Sequence, residues 1–98
     1  MKYAFHAEAK TEFVLAIEYY EEREPGLGHE FAVEVYSAVE RAAANPEMWP
    51  CIAPDIRRCL VRRFPYGILY GYNDSKDGIL IVAIMHLHRE PHCWEHRS

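Results

Sequence analysis

The chain lacks any apolar stretch long enough to cross a membrane. Its longest, Ile79–Met85, falls far short of the roughly 18 residues a spanning helix needs. Cysteine is scarce and odd in number: Cys51, Cys59 and Cys93 form no C-x-x-C pair, which argues against a disulfide framework and a zinc ribbon. The first residues, Met1–His6, have no apolar h-region, so no export signal is expected, and the thiols are expected to stay reduced in a cytoplasm. Lysine is also sparse, and none occurs from Cys51 to Tyr72. The net charge of −4 lacks the basic excess usual in a nucleic-acid binder. There is no internal repeat, linker or low-complexity tract.

What is present is enough apolar residue for one small core. The 98 residues are 50% hydrophobic and 27% charged, values of a globular chain, and are read as a single domain over 1–98. Charge is unevenly placed. Residues 1–50 carry four cations against ten carboxylates, or −6; residues 51–98 carry seven against five, or +2. The field at a site matters more to a partner than the total.

Alternation in Lys2–His6 suits a short first strand. Helical spacing follows: Ala9, Phe13, Ala16, Ile17 and Tyr20 fall on one face, and Pro25-Gly26 stops the helix near Glu24. Leu27, Phe31, Val35, Ala38, Val39 and Ala42 form the stripe of a second helix, ended by Asn45-Pro46. The short break between them predicts an antiparallel hairpin. Glu47–Asp55, with two prolines and no period, reads as a loop.

Strands are expected at Ile56–Arg63, Tyr66–Tyr72 and Gly78–Leu87, with a bend at Phe64-Pro65 and a turn over Asn73–Gly78. Tyr66, Ile68, Tyr70 and Tyr72 should share one face, and Gly67, Leu69 and Gly71 the other, where the glycines leave room for a close approach. Ile79–Met85 is apolar on both faces and should lie centrally, covered on both sides. Residues 90–98, polar apart from Trp94, are expected to form a flexible tail. Helices first and strands together afterwards give an α+β class: strand, helical hairpin, then three antiparallel strands in a curved sheet.

The chemistry-bearing residues collect late in the chain. Arg57, Arg58, Arg62 and Arg63 precede the apolar strand, and His86-Leu87-His88-Arg89 follow it. Arginine binds phosphate oxygens bidentately, and imidazoles move protons near neutral pH. Arg63, His86 and Arg89 are therefore the catalytic candidates if the chain cleaves RNA. Anion binding or a solvated strand edge are the plainer readings. Arg57, Arg58, Arg62, Tyr70 and Trp94 are the candidates for partner contact. Tyr19 and Tyr20 should pack between helix and sheet with their hydroxyls at the rim, and the glutamate-rich helix faces read as solvated. Cys59 reads as a small core residue. No metal or cofactor is expected.

Four pieces in order resemble the RelE/ParE superfamily, toxins of type II toxin–antitoxin modules. They are Phe5-His6-Ala7-Glu8-Ala9; Tyr19-Tyr20-Glu21-Glu22 with Pro25-Gly26-Leu27-Gly28 and Phe31; Asn45-Pro46 with Arg57-Arg58 and Arg63-Phe64-Pro65-Tyr66; and His86-x-x-Arg89-x-Pro91-x-x-Trp94. The resemblance leans to the ParE-like branch. It implies a growth-inhibiting toxin of a plasmid-stabilising module, neutralised by an antitoxin, as a homodimer or a heterotetramer with that antitoxin. ParE-like members poison DNA gyrase, whereas RelE-like members cut messenger RNA on the ribosome. The lysines that crowd the middle strands of the nucleases are missing here, which favours gyrase or a toxin-like fold without activity.

Overall fold

The computed structural model describes residues 2–72 and 78–88. A short strand, β1 (Lys2–Phe5), leads into α1 (Ala7–Arg23) and α2 (Leu27–Ala44). Four strands follow: β2 (Cys51–Ala53), β3 (Ile56–Leu60), β4 (Tyr66–Tyr72) and β5 (Gly78–His86). They make one five-stranded sheet in the order β1-β5-β4-β3-β2, antiparallel except where β1 runs parallel to β5. No helix among the described residues is long and apolar enough to cross a membrane.

Both helices place the expected stripes inward. Ala9, Phe13 and Ala16 of α1 are buried, and so are Phe31, Val35, Ala38, Val39 and Ala42 of α2. They meet the inner face of the sheet, where Tyr66, Ile68 and Tyr70 are buried and Tyr72 packs partly against them. His6 starts α1, its Nδ1 accepting from the Glu8 N–H at 3.1 Å. The start of α2 has no cap of its own, because Gly26 sits there at φ +89°. Instead the Glu21 carboxylate of α1 accepts from the N–H groups of Gly26 (2.9 Å) and Gly28 (3.0 Å). A carboxylate at a helix N-terminus answers both its orphan donors and its dipole. Gly28 also lets the helices touch: a Cβ there would lie 2.6 Å from the Ile17 carbonyl oxygen.

The sheet departs from the sequence expectation in three places. Cys51–Ala53 forms the edge strand β2 rather than a loop, held by pairing with β3. β3 stops at Leu60, well before Arg63, whose φ of +72° is outside any strand geometry. β5 is an inner strand as expected, but among the described residues it is paired on both sides only over Gly78–Ile81, and the middle strand is β4. The turn expected at Asn73–Gly78 and the tail 90–98 fall largely outside the described residues.

One irregularity decides which way the end of β5 faces. Leu69 pairs with Ala83, but Tyr70 pairs with Ile81, so Val82 is an extra residue and the strand bulges. Before it, Ile79 and Ile81 face the helices; after it, Ile84 does. Val82, Ala83 and Met85 join Ile56 and Leu69 in a smaller cluster on the opposite face. His86, paired with Tyr66, therefore emerges on the helix side of the sheet.

Candidate functional site

Where β1 ends, α1 and the last half of β5 diverge around an open cleft of about 590 Å³. Its α1 wall is Glu12, Leu15, Ala16, Tyr19, Tyr20 and Arg23; its floor is Tyr66, Ile84, His86 and His88. Helical spacing brings Glu12, Leu15, Tyr19 and Arg23 to one side of α1, beside the core stripe. The Arg23 guanidinium lies 4.4 Å from the centre of the Tyr19 ring, a stacked cation. Tyr19 meets Tyr20 edge to face and is half exposed, so it lines the rim and is not packed between helix and sheet. Tyr20 does pack inward, against Phe31, Phe64 and Tyr66.

The two imidazoles are neighbours, with ring centres 5.3 Å apart, and His86 also sits edge-on to Tyr66 at 5.2 Å. The His88 N–H donates to Nδ1 of His86 at 3.1 Å. That bond leaves the second ring nitrogen of His86, Nε2, to carry the proton of the neutral ring. Glu12 reaches from α1 to the sheet and accepts the Ile84 N–H at 3.2 Å. Burial, with help from the nearby Tyr66 and Tyr19, raises the Tyr20 phenol above its ordinary value.

The arginines do not converge on this cleft. Arg63 is paired with Glu30 at 2.7 Å and with Glu34 at 3.7 Å, both on α2. These carboxylates hold its guanidinium protonated, the hydrogen bond to Glu30 most of all. Arg57 ties the segment before β2 to the sheet, donating to the carbonyl oxygens of Glu47 (3.0 Å) and Trp49 (2.6 Å). Arg58 lays its stem over Gly67, where a Cβ would stand 3.1 Å from its Cγ; the close approach expected at that glycine is made by this side chain. Its Nε is buried without a hydrogen-bond partner among the described residues. Arg62 is exposed.

Tyr70 requires correction as a contact residue. It is fully buried, and its hydroxyl donates to the Pro46 carbonyl at 2.7 Å, so a partner cannot reach it in this fold. Burial raises its phenol far above the ordinary value. Cys59 is a core residue whose thiol points at the Ala38 carbonyl, 3.6 Å away; burial pushes it up, with Arg41 opposing. Arg89 and Trp94 lie outside the described residues. Of the sequence candidates among the described residues, His86 alone is a cleft residue, joined there by His88. Glu12, Tyr19, Arg23 and Tyr66 were not singled out as site residues. The 12-15-19-23 spacing on α1 was the available signal, hidden because glutamates on a helix usually face water.

Against known proteins, a family model described as the ParE toxin of the type II toxin–antitoxin system, parDE, matches residues 3–91. A solved structure, the chromosomal ParDE TA system from P. aeruginosa, superposes with a TM-score of 0.75 at 16% identity, covering 90% of this chain and 97% of that one. At that identity the likeness speaks for the fold. None of the curated proteins matches the chain.

Proposed function

Because the chain belongs to the ParE toxin family of type II toxin–antitoxin systems, we propose that it arrests growth by binding DNA gyrase, until an antitoxin covers it. The family match across residues 3–91 carries this reading. The geometry adds support for binding over cleavage. A ribonuclease needs a free cation over the phosphorane, and Arg63 is neutralised by two carboxylates while Arg57 holds backbone carbonyls. The protein would work in the cytoplasm, in a module that stabilises the replicon encoding it.

A second reading has one observation in its favour. His86, His88, Arg23 and Tyr66 share a cleft, and such a set suits metal-independent RNA cleavage on the ribosome. One experiment separates the two. The toxin is induced without antitoxin, and supercoiling, gyrase-linked DNA breaks and messenger integrity are followed together. The gyrase reading expects lost supercoiling and DNA breaks with intact messenger, and arrest that survives Arg63→Ala. Cut messenger with normal supercoiling would transfer the assignment to the endonuclease. Harmless induction would mean a toxin fold without activity.

A further inference from the structure

The sheet is buried on both faces, yet the two helices cover only one of them. On the other face Ile56, Leu69, Val82, Ala83 and Met85 form the smaller apolar cluster, to which no helix residue belongs. Leu69 and Ala83 are nonetheless fully buried, and Met85 nearly so. Leu69 is not hidden by its own strand, because its neighbours on that face are Gly67 and Gly71, which have no side chains. Its cross-strand neighbours are Arg58 and the small Ala83. Arg58 and Leu87 meet above Gly67, at the border of the cluster. A leucine set between glycines on a bare sheet face stands in water, so this burial requires a cover.

Two stretches outside the described residues, 73–77 and 89–98, are placed to supply it. The exposure pattern chooses between them. Residues 73–77 join β4 to β5 at the Gly71–Leu80 end of the face, and Leu80 there is still 36% exposed. Further along β5, towards the end from which 89–98 depart, Ala83 and Met85 are buried. The chain also turns as it leaves the strand: Leu87 and His88 form a turn, and the His88 N–H donates back to His86 Nδ1.

Arg58 gives the cover a chemistry. It pairs with Leu69 and so lies on this face, and its buried Nε has no hydrogen-bond partner among the described residues. A buried donor left unanswered is costly, so an acceptor should arrive with the covering segment. Residues 89–98 contain one large apolar side chain, Trp94, and two carboxylates, Glu90 and Glu95. Glu90 comes three residues after Leu87, which touches the same site above Gly67 as Arg58.

We propose that residues 89–98 fold back over this second face of the sheet, with the Trp94 ring on Leu69, Ala83 and Met85 and the Glu90 carboxylate accepting from Arg58 Nε. The protein closes this face with its own chain, which leaves partners the helix side and its cleft. Trp94 is then an internal anchor, not a contact residue. The inference holds for any target of the toxin.

Nuclear Overhauser contacts in the full wild-type chain, together with a double-mutant cycle, test it. The Trp94 indole protons should show contacts to the methyls of Leu69, Ala83 and Met85. Arg58→Ala and Glu90→Ala should each lower the melting temperature, and the double variant should lose less than the two losses added; Glu95→Ala with Arg58→Ala should be additive. A Trp94 indole without contacts to these methyls would overturn the proposal. Contacts found only between differently labelled chains in a mixed sample would assign the cover to a second copy and overturn it as well. Additive losses for Arg58 and Glu90 would remove the carboxylate pairing.

Discussion

Tyr70 shows how one side chain can join distant parts of so small a fold. Its ring fills the interior between α2 and the sheet, and its hydroxyl holds the Pro46 carbonyl just past the end of α2. Tyr70→Phe keeps the packing and leaves that carbonyl unanswered, so it should cost about 1–2 kcal/mol, read from denaturant unfolding. The pH dependence has a definite sign. The folded state raises this phenol, so its contribution is complete below the ordinary tyrosine value near 10 and is lost as pH rises beyond it. Wild-type stability should therefore fall on the alkaline side more steeply than that of Tyr70→Phe. Tyr20, raised in the same direction, keeps some slope in the variant. The sequence put Tyr70 on the correct face of its strand but could not say that the face was closed. Alternation reports sidedness; depth depends on which helix lands there.

Among the elements, the helical hairpin was the most legible and its fastening the least. The stripes at Phe13 and Phe31 and the break at Pro25-Gly26 follow from spacing and backbone chemistry, which act locally. The clasp by Glu21 does not, because its donors lie across a turn and nothing distinguishes Glu21 from Glu22 in the sequence. Glu21→Ala removes the only side chain among the described residues seen to cap the start of α2. It should lower stability by about 1–2 kcal/mol and loosen the first turn of α2, seen as faster amide exchange at Gly26 and Gly28. Glu22→Ala, on the exposed face, is the control and should change little. Strand β2 escaped the sequence reading for a related reason. Three residues between prolines have no period of their own, and only the pairing with β3 makes them a strand.

For the molecule as a whole, the charge asymmetry of the sequence turns into layers. The acidic half supplies the helices that lie on the sheet, and the basic half supplies four of its five strands. Two carboxylates of the helical layer, Glu30 and Glu34, reach Arg63 beyond β3, so part of the asymmetry cancels inside the protein itself. That internal pairing is why a constellation of arginines read from the sequence did not become a site, while an unremarked row on α1 did. The surplus residue in β5 has a consequence for how such proteins diverge. Removing Val82 would restore uninterrupted alternation and leave every side chain beyond it on its present side, because Ala83, Ile84, Met85 and His86 would keep their partners on β4. A one-codon deletion there is thus absorbed by the strand, and the cleft keeps its imidazoles. The Val82 deletion should retain the His86 ring-current shift from Tyr66 in proton spectra. The bulge therefore gives this strand one residue of slack, which relatives can lose without turning His86 away from the helices.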